Sequence, residues 1–227
     1  MGFSYLKHGG KWGLAWLMLV VTFSSLSSLA AASSATQTQH HIKMIIVAEA
    51  LKSRHVSPSL ALAVAEVESG FRPQVVSHKG AIGVMQIMPA TSRQVFGVNP
   101  NRLYQPDLNI RLGIRFLDDL IATYDGRVEI ALSHYNGGSA VMKNGSARVL
   151  PYTRSYVSRV LARSRHYKNA IDKKARANAR RLGGPRPLAV QTLTKHAKPN
   201  QQTALATHIN HVDKWLSVVN ELAPRGR

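Results

Sequence analysis

The chain contains no cysteine. That excludes disulfides, cysteine-based metal sites and a lipid-modified N-terminal cysteine, so an exported form must hold together by packing alone. Acidic residues are scarce: eleven Asp and Glu stand against thirty Lys and Arg in 227 residues. Anionic partners therefore suit the chain better than cationic ones. Aromatic residues make up only 7%. No strand-like alternation of useful length and no internal repeat is present. The ten histidines show no ligand spacing, so neither a metal nor a cofactor is expected.

What is there is apolar residues at 44% and a net charge of +19, unevenly spread. From Arg159 to Arg227 fifteen basic residues face three acidic ones, whereas from Ser33 to Ser158 the numbers are thirteen and eight. The body is mildly basic and the tail strongly so, which points to cell-wall polymer, lipid headgroups or nucleic acid, or simply to a solvated tail. Lys7 and Lys11 precede an apolar run from Trp12 to Val21, and Ala30-Ala31-Ala32 offers a small-residue cleavage site. Residues 1–32 are therefore expected to be a signal peptide directing export to the periplasm; the alternative is an uncleaved membrane anchor. If the peptide is cleaved, no stable membrane span is expected.

Residues 33–39 read as a Ser/Thr/Gln linker, residues 40–165 as one catalytic domain, 166–204 as a basic linker and 205–223 as a short amphipathic helix with Leu205, Ile209, Val212, Leu216 and Val219 on one face. Within the domain, helices are expected from His41 to Arg54, from Pro58 to Gly70, from Pro89 to about Phe96, from Leu108 to Tyr124, from Val128 to Tyr135 and from Pro151 onward. Ser57 as N-cap, Pro58 at the first helical position and Gly70 as terminator frame the second of these. It is apolar nearly all round and should be central. Asp107 reads as the N-cap of the fourth. The class is all-α, with room for a small irregular hairpin between Phe71 and Pro89 and with a basic C-terminal extension.

The central helix carries two glutamates, Glu66 and Glu68. Glutamate is seldom buried without a partner or a task. Two positions turn a helix by about 200°, so the pair points in nearly opposite directions and cannot act together. Glu68 lies in the last turn, where the helix dipole disfavours its charge, and Val84, Met85, Ile87 and Met88 supply apolar neighbours. A carboxylic acid kept protonated there can donate its proton to a leaving oxygen. The plainer alternative is a glutamate capping a loop amide.

Five short patterns then follow in order. Glu68-Ser69 with Phe71 and Pro73 gives E-S-x-F-x-P. Ser77, Gly80-Ala81, Gly83, Met85-Gln86, Met88-Pro89 and Thr91 give S-x-x-G-A-x-G-x-M-Q-x-M-P-x-T. Asn109 and Gly113 give N-x-x-x-G. Ala131, Tyr135-Asn136 and Gly138 give A-x-x-x-Y-N-x-G, and Thr153-Arg154, Tyr156 and Val157 give T-R-x-Y-V. From Ile42 to Arg163 the chain resembles the catalytic domain of soluble lytic transglycosylases, related in fold to goose-type lysozymes. The resemblance implies a lysozyme-like helical domain. It implies Glu68 as the acid/base, and peptidoglycan as the substrate, cut between N-acetylmuramic acid and N-acetylglucosamine. It implies that Ser77 and Gln86 hydrogen-bond the sugar, that Met85 lines the cleft, that Tyr135 presents its hydroxyl near Glu68, that Asn136 orients loop or glycan and that Tyr156 helps close the cleft. Met85 as plain core and Tyr156 as a packed helix residue are the plainer alternatives. Three positions depart from the family: His134 where a small residue is usual, Gly137 for the common alanine, and Tyr152 where many members carry Glu.

Ordinary glycosidases use two carboxylates. Glu49, Asp107, Asp118, Asp119, Asp125 and Glu129 have no pattern that sets them beside Glu68, which fits a one-acid mechanism. Glu68 would protonate the glycosidic oxygen, then accept the proton of the C6 hydroxyl as that hydroxyl closes a 1,6-anhydro ring. The rivals are a hydrolytic muramidase on the same fold and a non-catalytic wall-binding accessory factor. Small members of the family often serve envelope-spanning secretion, conjugation or pilus systems. The basic tail could bind such machinery or an anionic envelope polymer; nucleic acid is not expected for an exported chain.

Overall fold

The computed structural model describes residues 36–181, residue 144 apart. The expected signal peptide (1–32) and C-terminal helix (205–223) lie outside the described residues. The chain divides into two bodies, 1–39 and 40–227; the core and the site belong to the second.

Among the described residues six α-helices carry the architecture: α1 (36–50), α2 (Pro58–Ser69), α3 (Pro89–Phe96), α4 (Pro106–Thr123), α5 (Val128–Gly137) and α6 (Arg154–Arg181). Short 3-10 turns cover Pro100–Tyr104, Ser139–Val141 and Pro151–Thr153. The domain is all-α, as expected. One minimal antiparallel pair, β1 (Met142–Lys143) with β2 (Ser146–Ala147), follows α5. The Phe71–Pro89 stretch folds back on itself through isolated bridges, Val76 to Ile82 and Ile82 to Ile87, and not through a ladder.

Helix α2 forms as its termini dictate. The Ser57 side chain accepts the Leu60 N–H, Pro58 occupies the first turn, and Gly70 at φ 60° ends the helix by donating its N–H to the Glu66 carbonyl. Every residue from Pro58 to Ala65 is buried. Around it close Ile42, Ile46 and Val47 of α1, Ile110, Leu117 and Ile121 of α4, Ala131 and Leu132 of α5, and Tyr156 and Val160 of α6. Helix α6 packs along α2.

Three expectations need correction. Residues 36–39, read as linker, are helical. The boundary at 165 fails because α6 continues to Arg181, with Tyr167 and Ile171, four apart, buried in the same core. Asp107 does not cap α4: Gln105 is the N-cap and Pro106 starts the helix, which leaves Asp107 in the first turn, where its charge suits the helix dipole.

Candidate active site

Glu68 sits on the last turn of α2 and is only partly exposed. The Tyr156 hydroxyl of α6 donates to its Oε1 at 2.6 Å. Burial drives the Glu68 carboxyl up to about 7, against the smaller opposing pulls of the Tyr156 hydrogen bond and the Arg159 charge. Desolvation thus keeps this acid protonated near neutrality. Of the expected apolar neighbours, Val84, Met85 and Ile87 are buried, while Met88 is exposed. Tyr135 of α5 feels the same carboxylate: burial, and then the Glu68 charge, hold its phenol well above the ordinary value. Tyr156 is raised in the same way, first by burial and next by Glu68. Both phenols stay protonated wherever Glu68 works.

The loop opposite Glu68 is built on two side chains that the family patterns mark without explaining. Asn109, fully buried on α4, accepts the Met85 N–H at 2.8 Å and donates to the carbonyls of Ile82 at 2.8 Å and Leu103 at 3.0 Å. Gly113, one turn on, lets Met85 rest directly on α4: a Cβ there would lie 2.4 Å from Met85 Cβ. Gly83 is held twice, by φ of 81° and by Asn109 Nδ2, 2.5 Å from where its Cβ would be. The buried Ser69 hydroxyl reaches across to the Val84 carbonyl at 2.8 Å and ties the loop to the end of α2.

The expected sugar contacts fall as follows. Ser77 closes its own turn, its Oγ accepting the Ala81 N–H at 3.0 Å, with its hydroxyl proton left to donate. Gln86, at φ 49°, spends its amide nitrogen on the carbonyls of Val75 (3.0 Å) and Gly83 (2.9 Å), so its Oε1 is the atom it can offer a ligand. The Tyr135 hydroxyl donates to the Met85 carbonyl at 2.8 Å. Asn136 is exposed on the last turn of α5. The expectation that the Met85 side chain lines the cleft is not met: it is fully buried against Gly113, and Met85 contributes its backbone on both sides, to Asn109 and to Tyr135.

The three departures from the family each have a local cause. His134 is a packed histidine: its Nδ1 lies 2.7 Å from the Tyr124 hydroxyl, its ring meets Phe116 edge-on, and burial lowers its pKa. Gly137 and Tyr152 belong together. A Cβ on Gly137 would stand 2.7 Å from Thr153 Cγ2 and 3.1 Å from Tyr152 Cε2, and the Tyr152 hydroxyl donates to the Gly137 carbonyl at 3.1 Å.

Three other carboxylates are engaged in contacts of their own. Asp118 accepts the Ser53 hydroxyl at 2.6 Å and the His55 N–H at 2.7 Å, Asp119 takes Arg115 through both oxygens at 3.0 Å, and Glu49 takes Lys52 at 2.8 Å. These acids line a groove of about 720 Å³ together with Arg54, His55 and Arg111, which holds none of the expected site residues. Sequence reasoning left Glu66 without a partner. It has two, Arg163 and Tyr167, which lie 97 and 101 positions away on α6 and had no local signal.

Over part of its length the chain is similar to known proteins. Residues 45–149 match the family model described as the transglycosylase SLT domain. The soluble lytic murein transglycosylase of Salmonella typhimurium is 30% identical over 144 residues, 54% of this chain and 22% of the relative. The membrane-bound lytic murein transglycosylase C of Glaesserella parasuis is 37% identical over 112 residues, 43% of this chain and 31% of the relative. The chain thus spans about a fifth to a third of the curated relatives it matches. Among solved structures, an inactive mutant of lytic transglycosylase Slt from Pseudomonas aeruginosa aligns at 27% identity with a TM-score of 0.46, over 63% of this chain and 24% of that one. A complex of the 70-kDa soluble lytic transglycosylase with bulgecin A aligns at 27% identity and 0.49, over 55% and 24%. Residues 45–149 thus match the transglycosylase SLT domain, and over part of its length the chain is similar to soluble and membrane-bound lytic murein transglycosylases.

Proposed function

We propose that this chain is an exported lytic transglycosylase that cuts peptidoglycan between N-acetylmuramic acid and N-acetylglucosamine and leaves 1,6-anhydro-muramic acid ends. One observation carries the reading: a single carboxyl, Glu68, is kept protonated to about pH 7 by burial and is aimed by the Tyr156 hydroxyl. Its companions are tyrosines, and Asp118, Asp119 and Glu49 are occupied by other partners. The relatives' printed names, murein transglycosylases, support the substrate and the reaction class.

In the proposed reaction the protonated Oε of Glu68 gives its proton to the glycosidic oxygen as the C1–O bond breaks, so the N-acetylglucosamine side leaves as an alcohol. Glu68, now a carboxylate, accepts the proton of the C6 hydroxyl while that oxygen bonds to C1 of the same ring. No water is consumed, and the acid returns to its starting state. The intramolecular hydroxyl replaces the water and second carboxylate of an inverting enzyme, with the effective-molarity advantage of a tethered nucleophile. Ser77, Gln86 Oε1, Tyr135 and Asn136 are the proposed sugar-binding groups.

Digestion of purified sacculi with the full chain tests this. Muropeptides ending in 1,6-anhydro-muramic acid are expected from the wild type and none from Glu68→Gln. Reducing muramic acid ends would make the protein a hydrolase, and product from the Glu68→Gln variant would remove Glu68 from the chemistry.

A further inference from the structure

The neighbouring glutamate, Glu66, takes no part in the reaction above, yet it is tightly held. Its Oε1 takes Arg163 Nη2 at 2.7 Å and its Oε2 accepts the Tyr167 hydroxyl at 2.9 Å, both from α6. Lys43 of α1 approaches as well: burial lowers its pKa, the Glu66 charge works against that loss, and its Nζ lies 4.6 Å from the Phe71 ring centroid. Three helices therefore converge on one carboxylate.

The two glutamates of α2 grip the same helix at different heights. Glu66 meets Tyr167 and Glu68 meets Tyr156. The tyrosines are eleven positions apart, about three turns, which puts them on one face of α6 roughly 16 Å apart. On α2 the two glutamates are separated by a rise of only about 3 Å and diverge by about 200°. The contact at Tyr156 is short and directional, so a small slide or rotation of α6 would break it. The apolar contacts of Val160 and Ile171 bury area without choosing a register. The charge-assisted bonds at Glu66 do choose one.

We propose that Glu66 is a positioning residue: by clamping Arg163 and Tyr167 it fixes the register of α6 that brings the Tyr156 hydroxyl onto Glu68. The inference rests on Glu68 being the acid, as proposed above.

The test is a double-mutant cycle in the full chain, with Glu66→Gln, Tyr156→Phe and the double variant. Three quantities are read: turnover on soluble glycan strands, thermal midpoint, and the Glu68 titration midpoint from carboxyl-carbon NMR. Glu66→Gln is expected to lower kcat by on the order of tenfold or more, with KM little changed, and to move the Glu68 midpoint. Neither change should recur once Tyr156 is Phe. Additive losses, or a lowered thermal midpoint with an unmoved Glu68 titration, would overturn the proposal. Should Glu66→Gln fail to fold, Tyr167→Phe enters the same cycle with the same outcomes. The titration needs no activity. If wild type releases no product while the two midpoints stay coupled, the functional reading fails and the positioning role stands; if wild type cleaves and the midpoints are uncoupled, the reverse holds.

Discussion

Tyr152 and Gly137 form a matched pair, the tyrosine ring occupying space that a methyl group on residue 137 would enter and its hydroxyl donating to the Gly137 carbonyl. The two departures from the family pattern are thus one local solution, which holds the end of α5 against the start of α6. Gly137→Ala should overpack the contact with Thr153 and Leu150 and cost about 1–3 kcal/mol. Urea unfolding of the variant beside wild type checks it.

The raised pKa of Glu68 has a consequence for stability. Its ordinary value of 4.5 becomes about 7 in the fold, so between those values the folded chain holds a proton that the unfolded chain has lost. Stability therefore falls as pH rises through that window, by at most about 3 kcal/mol from this group. Glu68→Gln removes the cost. It should melt later than wild type at pH 8 and at nearly the same temperature at pH 4, as scanning calorimetry at both pH values would show.

Activity should follow the same group in the same sense. The acid is competent while protonated, so the alkaline limb of kcat/KM is expected near pH 7. The Tyr156 hydrogen bond holds Glu68 below what burial alone would give, so Tyr156→Phe should move that limb to higher pH while lowering the maximum rate. A limb that stays in place would mean another group sets the profile.

Asn109 satisfies three backbone groups from three places in the chain, Ile82, Met85 and Leu103. Asn109→Leu leaves them buried and unpaired at about 1–3 kcal/mol each, with some relief from relaxation. A loss of several kcal/mol is expected, together with weaker glycan binding, because the same loop carries Gln86. Equilibrium unfolding and binding to a non-cleaved glycan check the two parts.

Where local rules act alone, the sequence sufficed. Ser57, Pro58 and Gly70 bound α2, and α3 runs from Pro89 to Phe96 as expected. Helical geometry separates Glu66 from Glu68, yet both carboxylates reach partners on α6. What stayed hidden depends on distant chain. The burial that lifts Glu68 needs α6 laid on α2. The clamp on Glu66 comes from about a hundred positions away. The length of α6 was masked by charge: Tyr167 and Ile171 make an ordinary i, i+4 apolar pair, but Arg163, Arg165, Lys168, Lys173 and Lys174 crowd around it and read as a solvated run. Met85 was misplaced because a methionine in a family pattern says nothing about whether its side chain or its backbone is used.

The stretch shared with the family model stops at residue 149, and α6 begins at Arg154. A fragment trimmed to the shared stretch would keep Glu68 but lose Tyr156, Val160, Tyr167 and Arg163, leaving the acid open to water and a flank of α2 bare. Such a piece should aggregate or titrate Glu68 as an ordinary carboxylic acid. The smallest self-sufficient unit of this protein is therefore set by where its helices close on one another, and it reaches at least as far as Ile171.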